Sequence, residues 1–264
     1  TLSLHDALPI SGTPTLADLQ AVVVHSDLRP TSTFASSHAG LNQLVHNSIW
    51  GQKGNFLGVP TDCPQRDERL GWTGDIAVYA PTASAQFDSA DFLHSWLLDV
   101  AEETSHHEPP AVPVVVPDIL KYGNYAPGAP FKDVHSQAIW ADAAVWVPLA
   151  LWQAYGDRDR LAAHYPGMVV FVESIEPRLS EDGPWGTQGL QLADWLDPDA
   201  PPDAPWAAKA DAGVVSTASF YRSVAFTAEA ATILGNEADA ARWTALATRL
   251  RDAFRTHYVA DERI

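Results

Sequence analysis

Cysteine is almost absent from this chain of 264 residues, because Cys63 is the only one. A single thiol excludes an internal disulfide and a zinc cluster of cysteines, and it suits either a reducing or an oxidising compartment. Long apolar runs are absent as well, so no stretch of the sequence is long enough to cross a bilayer. Basic residues are scarce, with 16 Lys and Arg against 33 Asp and Glu, for a formal charge of −17. This deficit argues against nucleic acid and anionic membrane surfaces as partners, whereas a neutral sugar is indifferent to it.

The two ends of the chain differ from its middle. Residues 1–11 lack the basic start and long apolar stretch of a signal peptide, and they resemble translated sequencing adapter, so we expect a non-native leader. Residues 12–36 contain short β-branched runs broken by Pro30, which predict the end of a preceding β domain and a linker. The chain stops at Ile264 just after a predicted helix. We therefore expect residues 37–264 to be the truncated N-terminal part of a larger helical domain.

Helical periodicity begins at Ser37 and predicts six or seven helices. Apolar stripes of helical spacing include Leu41, Leu44, Val45 and Ile49; Leu93, Trp96, Leu97 and Val100; and those that start at Trp140, Val214 and Trp243. Gly156 and Gly235 supply helix stops, and short turns there predict antiparallel pairs. Long loops rich in Pro and Gly span residues 108–134 and 179–211. This alternation predicts a mainly α fold, a partial ring of helical hairpins with the long loops at one face.

The run from Pro60 to Asp75 reads PTDCPQRDERLGWTGD and concentrates carboxylates next to a tryptophan. Cleavage of a glycosidic bond needs one carboxylic acid to protonate the leaving oxygen and a second carboxylate opposite it. Glu68 is the best candidate for the acid, because Asp62, Asp67 and Asp75 can supply the like-charge repulsion that raises the pKa of a carboxyl, whereas Arg66 and Arg69 act in the opposite direction and leave the balance open. An ion pair of Glu68 with either arginine is the structural alternative.

The side chains around Glu68 suit a sugar. Asp62 and Asp75 flank it and can accept hydrogen bonds from hydroxyl groups, and Trp72 offers a flat apolar face to pyranose C–H groups. Trp195 lies in a long loop beside Asp194, which favours a role in the pocket. Trp96, Trp146, Trp152 and Trp243 lie on helical periods, which favours core packing. His106 and His107 have too few further ligands for a metal site, so no metal or cofactor is expected.

The run VPTDCPQRDERLGWTGD, followed by APTAS, resembles the signature of bacterial α-L-rhamnosidases of glycoside hydrolase family 78. Further similar stretches are LNQLVHNSIWGQKGNFLGVPTD, VPVVVPD, IWADAAVWVPLALWQAYGD and ADWLDP, so that the resemblance covers most of residues 20–258. It implies an (α/α)6-barrel hydrolase that releases terminal α-L-rhamnose with inversion. The residues that it matches to functional positions are Glu68 as general acid, Asp62, Arg66 and Asp75 as ligands of rhamnose hydroxyls, and Trp72, Trp140 and Trp195 as aromatic walls.

The family's general base is a glutamate further downstream, and we expect it to lie beyond Ile264, so that this chain alone is inactive. The partners implied are rhamnose-containing glycosides or oligosaccharides. Two other functions stay open. One is another helical-barrel hydrolase or a polysaccharide lyase, although a lyase favours a basic cleft. The other is a non-catalytic sugar-binding module. Arg66 is also suited to a purely structural role, as a scaffold for the carboxylates.

Overall fold

The computed structural model describes residues 15–66, 69–123, 134–186, 190–205, 207–261 and 264. Seven α-helices account for most of this part: α1 (Ala39–Asn55), α2 (Thr73–Gln86), α3 (Ala90–Ser105), α4 (Ala143–Tyr155), α5 (Arg158–Ile175), α6 (Ala212–Leu234) and α7 (Glu237–Tyr258). Two short strands, β1 (Phe56–Leu57) and β2 (Val59–Pro60), form an antiparallel pair directly after α1. The predicted mainly helical fold is therefore confirmed.

The helix ends follow from local sequence. Gly156 and Gly235 adopt the left-handed conformation after α4 and α6, with φ of 62° and 82°, which a glycine adopts at little cost. The next helices begin at once, because Asp157 accepts hydrogen bonds from the amides of α5 and Asn236 accepts one from α7. Both predicted stops are confirmed, and they produce tight turns at one end of the helices.

The helices form two layers. In one layer α2 packs on α4 and α4 on α6, and in the other α3 packs on α5. The hydroxyl of Tyr165 on α5 accepts a hydrogen bond of 3.2 Å from the indole of Trp243, which places α7 beside α5. The core between the layers contains the fully buried side chains of Trp96, Phe171 and Phe220. As predicted, Trp146 and Trp243 are buried, and Trp152 packs against the same core.

Two expectations about the first part of the chain need correction. The stripe on α3 is buried, but on α1 Leu41 and Leu44 are exposed, because the main packing of α1 within the described chain is against β1. Between Leu19 and Phe34, where strands were expected, Pro30 forms a single bridge with Phe87 and no ladder follows. That this segment ends a β domain stays a prediction. In the described residues no helix is long and apolar enough to cross a membrane.

Candidate functional site

The three long connections, 56–72, 106–142 and 176–211, each lead from an odd-numbered helix into the next helix of the α2–α4–α6 layer. They therefore meet at the same end of that layer, opposite the tight turns. Between them and the facing sides of α1 and α2 lies a cavity of about 770 Å³. Its lining includes Asn55, Thr61, Asp62, Asp75, Tyr79, Ile139, Trp140, Asp194, Trp195 and Leu196.

The first connection is closed by a pair of hydrogen bonds at its base. The amide of Asp62 donates to the carbonyl of Leu70 at 3.1 Å, and the amide of Leu70 donates to Oδ1 of Asp62 at 3.0 Å. Arg69 strengthens this closure, since its guanidinium donates to the carbonyl of Gly54 at 3.0 Å. Asp67 and Glu68 lie outside the described residues; of this connection, Thr61 and Asp62 line the cavity.

The chain enters α2 along the second connection. The amide of Val116 donates to the carbonyl of Gly71 at 2.8 Å, and the amide of Thr73 donates to that of Val114 at 2.9 Å. A Cβ on Gly71 would lie 2.0 Å from the carbonyl oxygen of Val116, so no larger residue fits this approach. This pairing fixes the start of α2 and with it the position of Asp75 in the first helical turn.

Asp75 faces Asp62 across the cavity lining. Its carboxyl is exposed to the solvent of the cavity, yet protein atoms enclose it on several sides, and this partial desolvation raises its pKa. The negative charge of Asp62 raises the pKa of Asp75 further. Two carboxylates therefore act on the same pocket, with Asp194 as a third at its lining. Carboxylate oxygens accept hydrogen bonds from hydroxyl groups. Repulsion between two carboxylates at close range also favours the uptake of a proton by the pair.

Trp140 forms an aromatic wall that rests on α2. A Cβ on Gly74 would lie 2.6 Å from the ring atoms Cδ2 and Cε2 of Trp140, so the indole packs directly against the backbone of the helix. The preceding residue, Ile139, has φ of 71°, which is an outlier for a β-branched side chain. Its amide donates to Oδ2 of Asp142 at 2.7 Å. The position of Trp140 thus depends on the strained turn at Ile139 and on the buried carboxyl of Asp142 that accepts its hydrogen bond.

The third connection carries the other aromatic wall, Trp195. Ala193 and Leu196 on either side of Asp194-Trp195 have positive φ, 43° and 63°. Reciprocal hydrogen bonds join this connection to the second: Leu192 N donates to Oε1 of Gln137 at 2.9 Å, and Ala138 N donates to Oε1 of Gln191 at 3.0 Å. The segments that carry the two tryptophans are therefore tied together, and the strain at their bends lies at the cavity, as is common at functional sites.

The predicted site residues divide into three groups. Asp62, Asp75, Trp140 and Trp195 line one cavity although they come from three connections of the chain and the helix that follows the first. Arg66 and Trp72 are not among its described lining residues; Arg66 is exposed, and Trp72 pairs through its backbone with Val115 beside α2. Glu68 lies outside the described residues. The roles predicted for all seven residues stay predictions.

Sequence reasoning missed a polar group on the α1–α2 side of the cavity. The amide of Gln86 donates to the hydroxyl of Ser48 at 2.7 Å, and the hydroxyl of Tyr79 lies 3.4 Å from Oε1 of Gln52 and 3.3 Å from Oε1 of Gln86, either of which can accept its one hydrogen. Ser48, Gln52 and Tyr79 line the cavity. The sequence shows that these residues are spaced at helical intervals on α1 and on α2. Whether the two sets contact each other depends on how α1 lies against α2, and the sequence holds no signal for that.

Comparison with known proteins agrees with this architecture. Residues 29–264 match the model of the bacterial alpha-L-rhamnosidase 6 hairpin glycosidase domain. An alpha-L-rhamnosidase of Streptomyces avermitilis is 40% identical over 256 residues, which are 95% of this chain and 22% of that protein. The chain thus spans about a fifth of the length of this relative.

Solved structures give the same result. The native rhamnosidase from Aspergillus terreus superposes with a TM-score of 0.81 at 36% identity, over 91% of this chain and 26% of that one. The Streptomyces avermitilis α-L-rhamnosidase complexed with L-rhamnose superposes with a TM-score of 0.75 at 40% identity, over 90% and 20% of the two chains. The chain therefore belongs to the bacterial α-L-rhamnosidases of glycoside hydrolase family 78, with their six-hairpin glycosidase domain.

Proposed function

We propose that the protein containing this chain releases terminal α-L-rhamnose from rhamnosides with inversion, and that Glu68 is its general acid. The observation that carries the proposal is the convergence of Asp62, Asp75, Trp140 and Trp195 on one cavity of about 770 Å³. Carboxylates beside flat aromatic faces suit a sugar, because a pyranose offers hydroxyls at its edge and C–H groups on its faces. A structure related to this chain was solved in complex with L-rhamnose, which supports the choice of sugar.

In this mechanism each group has a separate task. Glu68 donates its proton to the glycosidic oxygen as the bond to the anomeric carbon breaks, and a water attacks the opposite face of the ring after losing a proton to a general base. The two carboxyl groups of an inverting enzyme stand roughly 6.5–9.5 Å apart to leave room for that water. Asp62 and Asp75 bind sugar hydroxyls, and Trp140 and Trp195 enclose the ring. Arg66 and Trp72 do not belong to the described lining of the cavity, so the sugar contact proposed for them rests on the family resemblance.

The general base is expected downstream of Ile264, in a part of the protein that this chain does not include. Since the chain spans 22% of its Streptomyces avermitilis relative, we infer that the chain alone binds sugar but does not turn it over. Rhamnosides should be hydrolysed by the full-length protein and left intact by the 264-residue chain. Turnover by the chain alone would contradict a base located beyond Ile264.

The test of Glu68 uses two substrates that differ in their leaving group. In the full-length protein, Glu68→Gln should abolish release of rhamnose from a rhamnosyl disaccharide, because an alkoxide leaves poorly without a proton. A 2,4-dinitrophenyl rhamnoside needs little protonation, so its hydrolysis should be partly retained. General acid catalysis contributes about 10²- to 10⁴-fold, which sets the expected gap between the two substrates.

Asp67→Asn is the matched control, because it removes the adjacent carboxylate of the same loop. It should leave the ratio of the two rates close to that of the unmodified protein. Equal loss on both substrates in Glu68→Gln would assign Glu68 a structural role, such as an ion pair with a neighbouring arginine. Activity on glucosides but not rhamnosides would favour another helical-barrel hydrolase instead.

A non-catalytic sugar-binding role is the second candidate, and the cavity itself favours it, since its described lining supplies carboxylates and two tryptophans without the downstream base. Calorimetric titration of the 264-residue chain with L-rhamnose tests it. Heat of binding in the chain, together with no rhamnose release by the full-length protein, would support this role. Turnover by the full-length protein would exclude it.

A further inference from the structure

We propose that Asp142 is a positioning residue for the sugar wall, because it holds Ile139 in the left-handed turn that lays Trp140 against α2. This inference rests on the proposed function only insofar as Trp140 encloses the sugar. Asp142 lies outside the cavity lining, and none of the motifs noted in the sequence assigns it a role.

The contacts of Asp142 are not those of an ordinary helix cap. It occupies the N-cap position of α4, yet its side chain makes no capping hydrogen bond to that helix. Its two carboxylate oxygens turn in opposite directions instead: Oδ2 accepts from the amide of Ile139 at 2.7 Å, and Oδ1 accepts from the hydroxyl of Ser223 on α6. The carboxyl thus joins the turn that carries Trp140 to a separate helix.

This arrangement is costly, which argues for a role beyond packing. The side chain of Asp142 is completely buried, and burial raises its pKa to about 6, although hydrogen bonds and the charge of Arg222 act in the opposite direction. Buried carboxyls are disfavoured unless their partners are well arranged. A backbone strained at a β-branched residue also persists only where its surroundings hold it in place. The buried carboxyl and the strained backbone are thus the two partners of one hydrogen bond, from the amide of Ile139 to Asp142.

The link has a direct consequence for the wall. Trp140 is the next residue after Ile139, and its ring already touches the backbone at Gly74. Its indole Nε1 is buried and has no hydrogen-bond partner among the described atoms, so the ring is not held by its own polar atom. The orientation of the indole therefore depends on the backbone turn before it, and that turn depends on Asp142.

The experiment measures the position of Trp140 without any substrate. In the 264-residue chain, oxidation of individual tryptophans by N-bromosuccinimide is followed by mass spectrometry of peptides. Asp142→Ala should increase the oxidation rate of Trp140 roughly tenfold, the population change expected from the loss of one hydrogen bond to a charged acceptor. Trp243, which is fully buried in the core, should keep its rate. Asp142→Asn retains an acceptor for Ile139 and should restore protection of Trp140.

One further variant separates positioning from stability. Ser223→Ala removes the anchor on α6 and should raise the rate at Trp140 less than Asp142→Ala does. If Asp142→Ala exposes Trp140 and Trp243 equally, the chain has unfolded and Ser223→Ala decides: a selective increase at Trp140 supports the proposal, and no increase overturns it. Unchanged oxidation of Trp140 in a folded Asp142→Ala variant overturns it as well.

Kinetics of the full-length protein complete the test. Asp142→Ala should raise KM for an aryl rhamnoside, and Asp142→Asn should bring KM back towards its original value. A purely structural role would reduce the amount of folded enzyme, which lowers the apparent kcat and leaves KM unchanged. If the unmodified protein cleaves no rhamnoside, the proposed function fails, while the oxidation pattern still decides the role of Asp142.

Discussion

Replacing Gly74 by alanine should displace the Trp140 wall. The added Cβ would lie 2.6 Å from two ring atoms of the indole, and ordinary contact begins at 3.4 Å, so the ring would have to withdraw by about 0.8 Å. Overpacking of this kind typically costs about 1–3 kcal/mol. Alanine also favours the helix by up to about 1 kcal/mol relative to glycine, which offsets part of this cost. A misplacement near 1 Å in a binding site can lower catalytic efficiency by about 10²-fold.

Gly167→Ala is the matched control. Gly167 lies in the interior of α5 (Arg158–Ile175), and a Cβ there meets nothing within 4 Å. This variant should therefore gain the helix propensity alone, on the order of 0.5–1 kcal/mol. The difference between the two variants isolates the clash with Trp140 from the general effect of alanine in a helix.

The assay combines urea unfolding of the 264-residue chain with calorimetric titration by L-rhamnose. We expect Gly74→Ala to be less stable than Gly167→Ala by about 1–3 kcal/mol, and to bind L-rhamnose at least several-fold more weakly than the unmodified chain. If the two variants are equally stable and bind the sugar equally well, Trp140 does not rest on Gly74, and the description of the wall is wrong.

Two further predictions concern stability. Burial, with the nearby His94, lowers the pKa of His164 to about 4 from an ordinary value of 6.5. The unfolded chain therefore takes up a proton at this site before the folded chain does, so the contribution of His164 to stability should fall by roughly 2 kcal/mol between pH 7 and pH 5. Asp142, whose raised pKa acts with the opposite sign, offsets part of this loss. The diagnostic is therefore a smaller loss in His164→Gln than in the unmodified chain, measured by urea unfolding; equal losses would contradict it. Gly71→Ala places a Cβ 2.0 Å from the carbonyl oxygen of Val116. Backbone cannot yield as a side chain does, so we expect a loss of more than about 3 kcal/mol, and urea unfolding that matches the unmodified chain would refute the close approach.

The helices were largely predictable, because their signals are local. The stripe on α3 and the glycine stops after α4 and α6 identify these elements without knowledge of their neighbours. The face of α1 was not predictable in the same way. Its apolar positions indicate a helix, but their burial depends on a covering element, which the sequence near Leu41 and Leu44 does not describe.

The site was predictable only in part. Asp62 and Asp75 share one motif, so their proximity could be expected. That Trp140 and Trp195 join them was suggested by resemblance, whereas the physical link between the two aromatic segments is the exchange of hydrogen bonds through Gln137 and Gln191. Those glutamines are separated by more than 50 positions and have no pattern that distinguishes them from surface glutamines. Asp142 was missed for a related reason, since an aspartate before a helix normally indicates a cap.

The convergence of three long connections has a consequence for how this chain would respond to a molecule bound in the cavity. The walls of the cavity come from three separate connections, so a molecule held between Asp62, Trp140 and Trp195 touches all three at once. Such a molecule binds only when the three connections have assembled, and by mass action it stabilises the assembled state by an amount that grows with the logarithm of its concentration relative to Kd. The proposed sugar would then raise the free energy of unfolding by the same amount in variants damaged at the tight turns, whose affinity is intact, and by less in variants whose loops bind it more weakly.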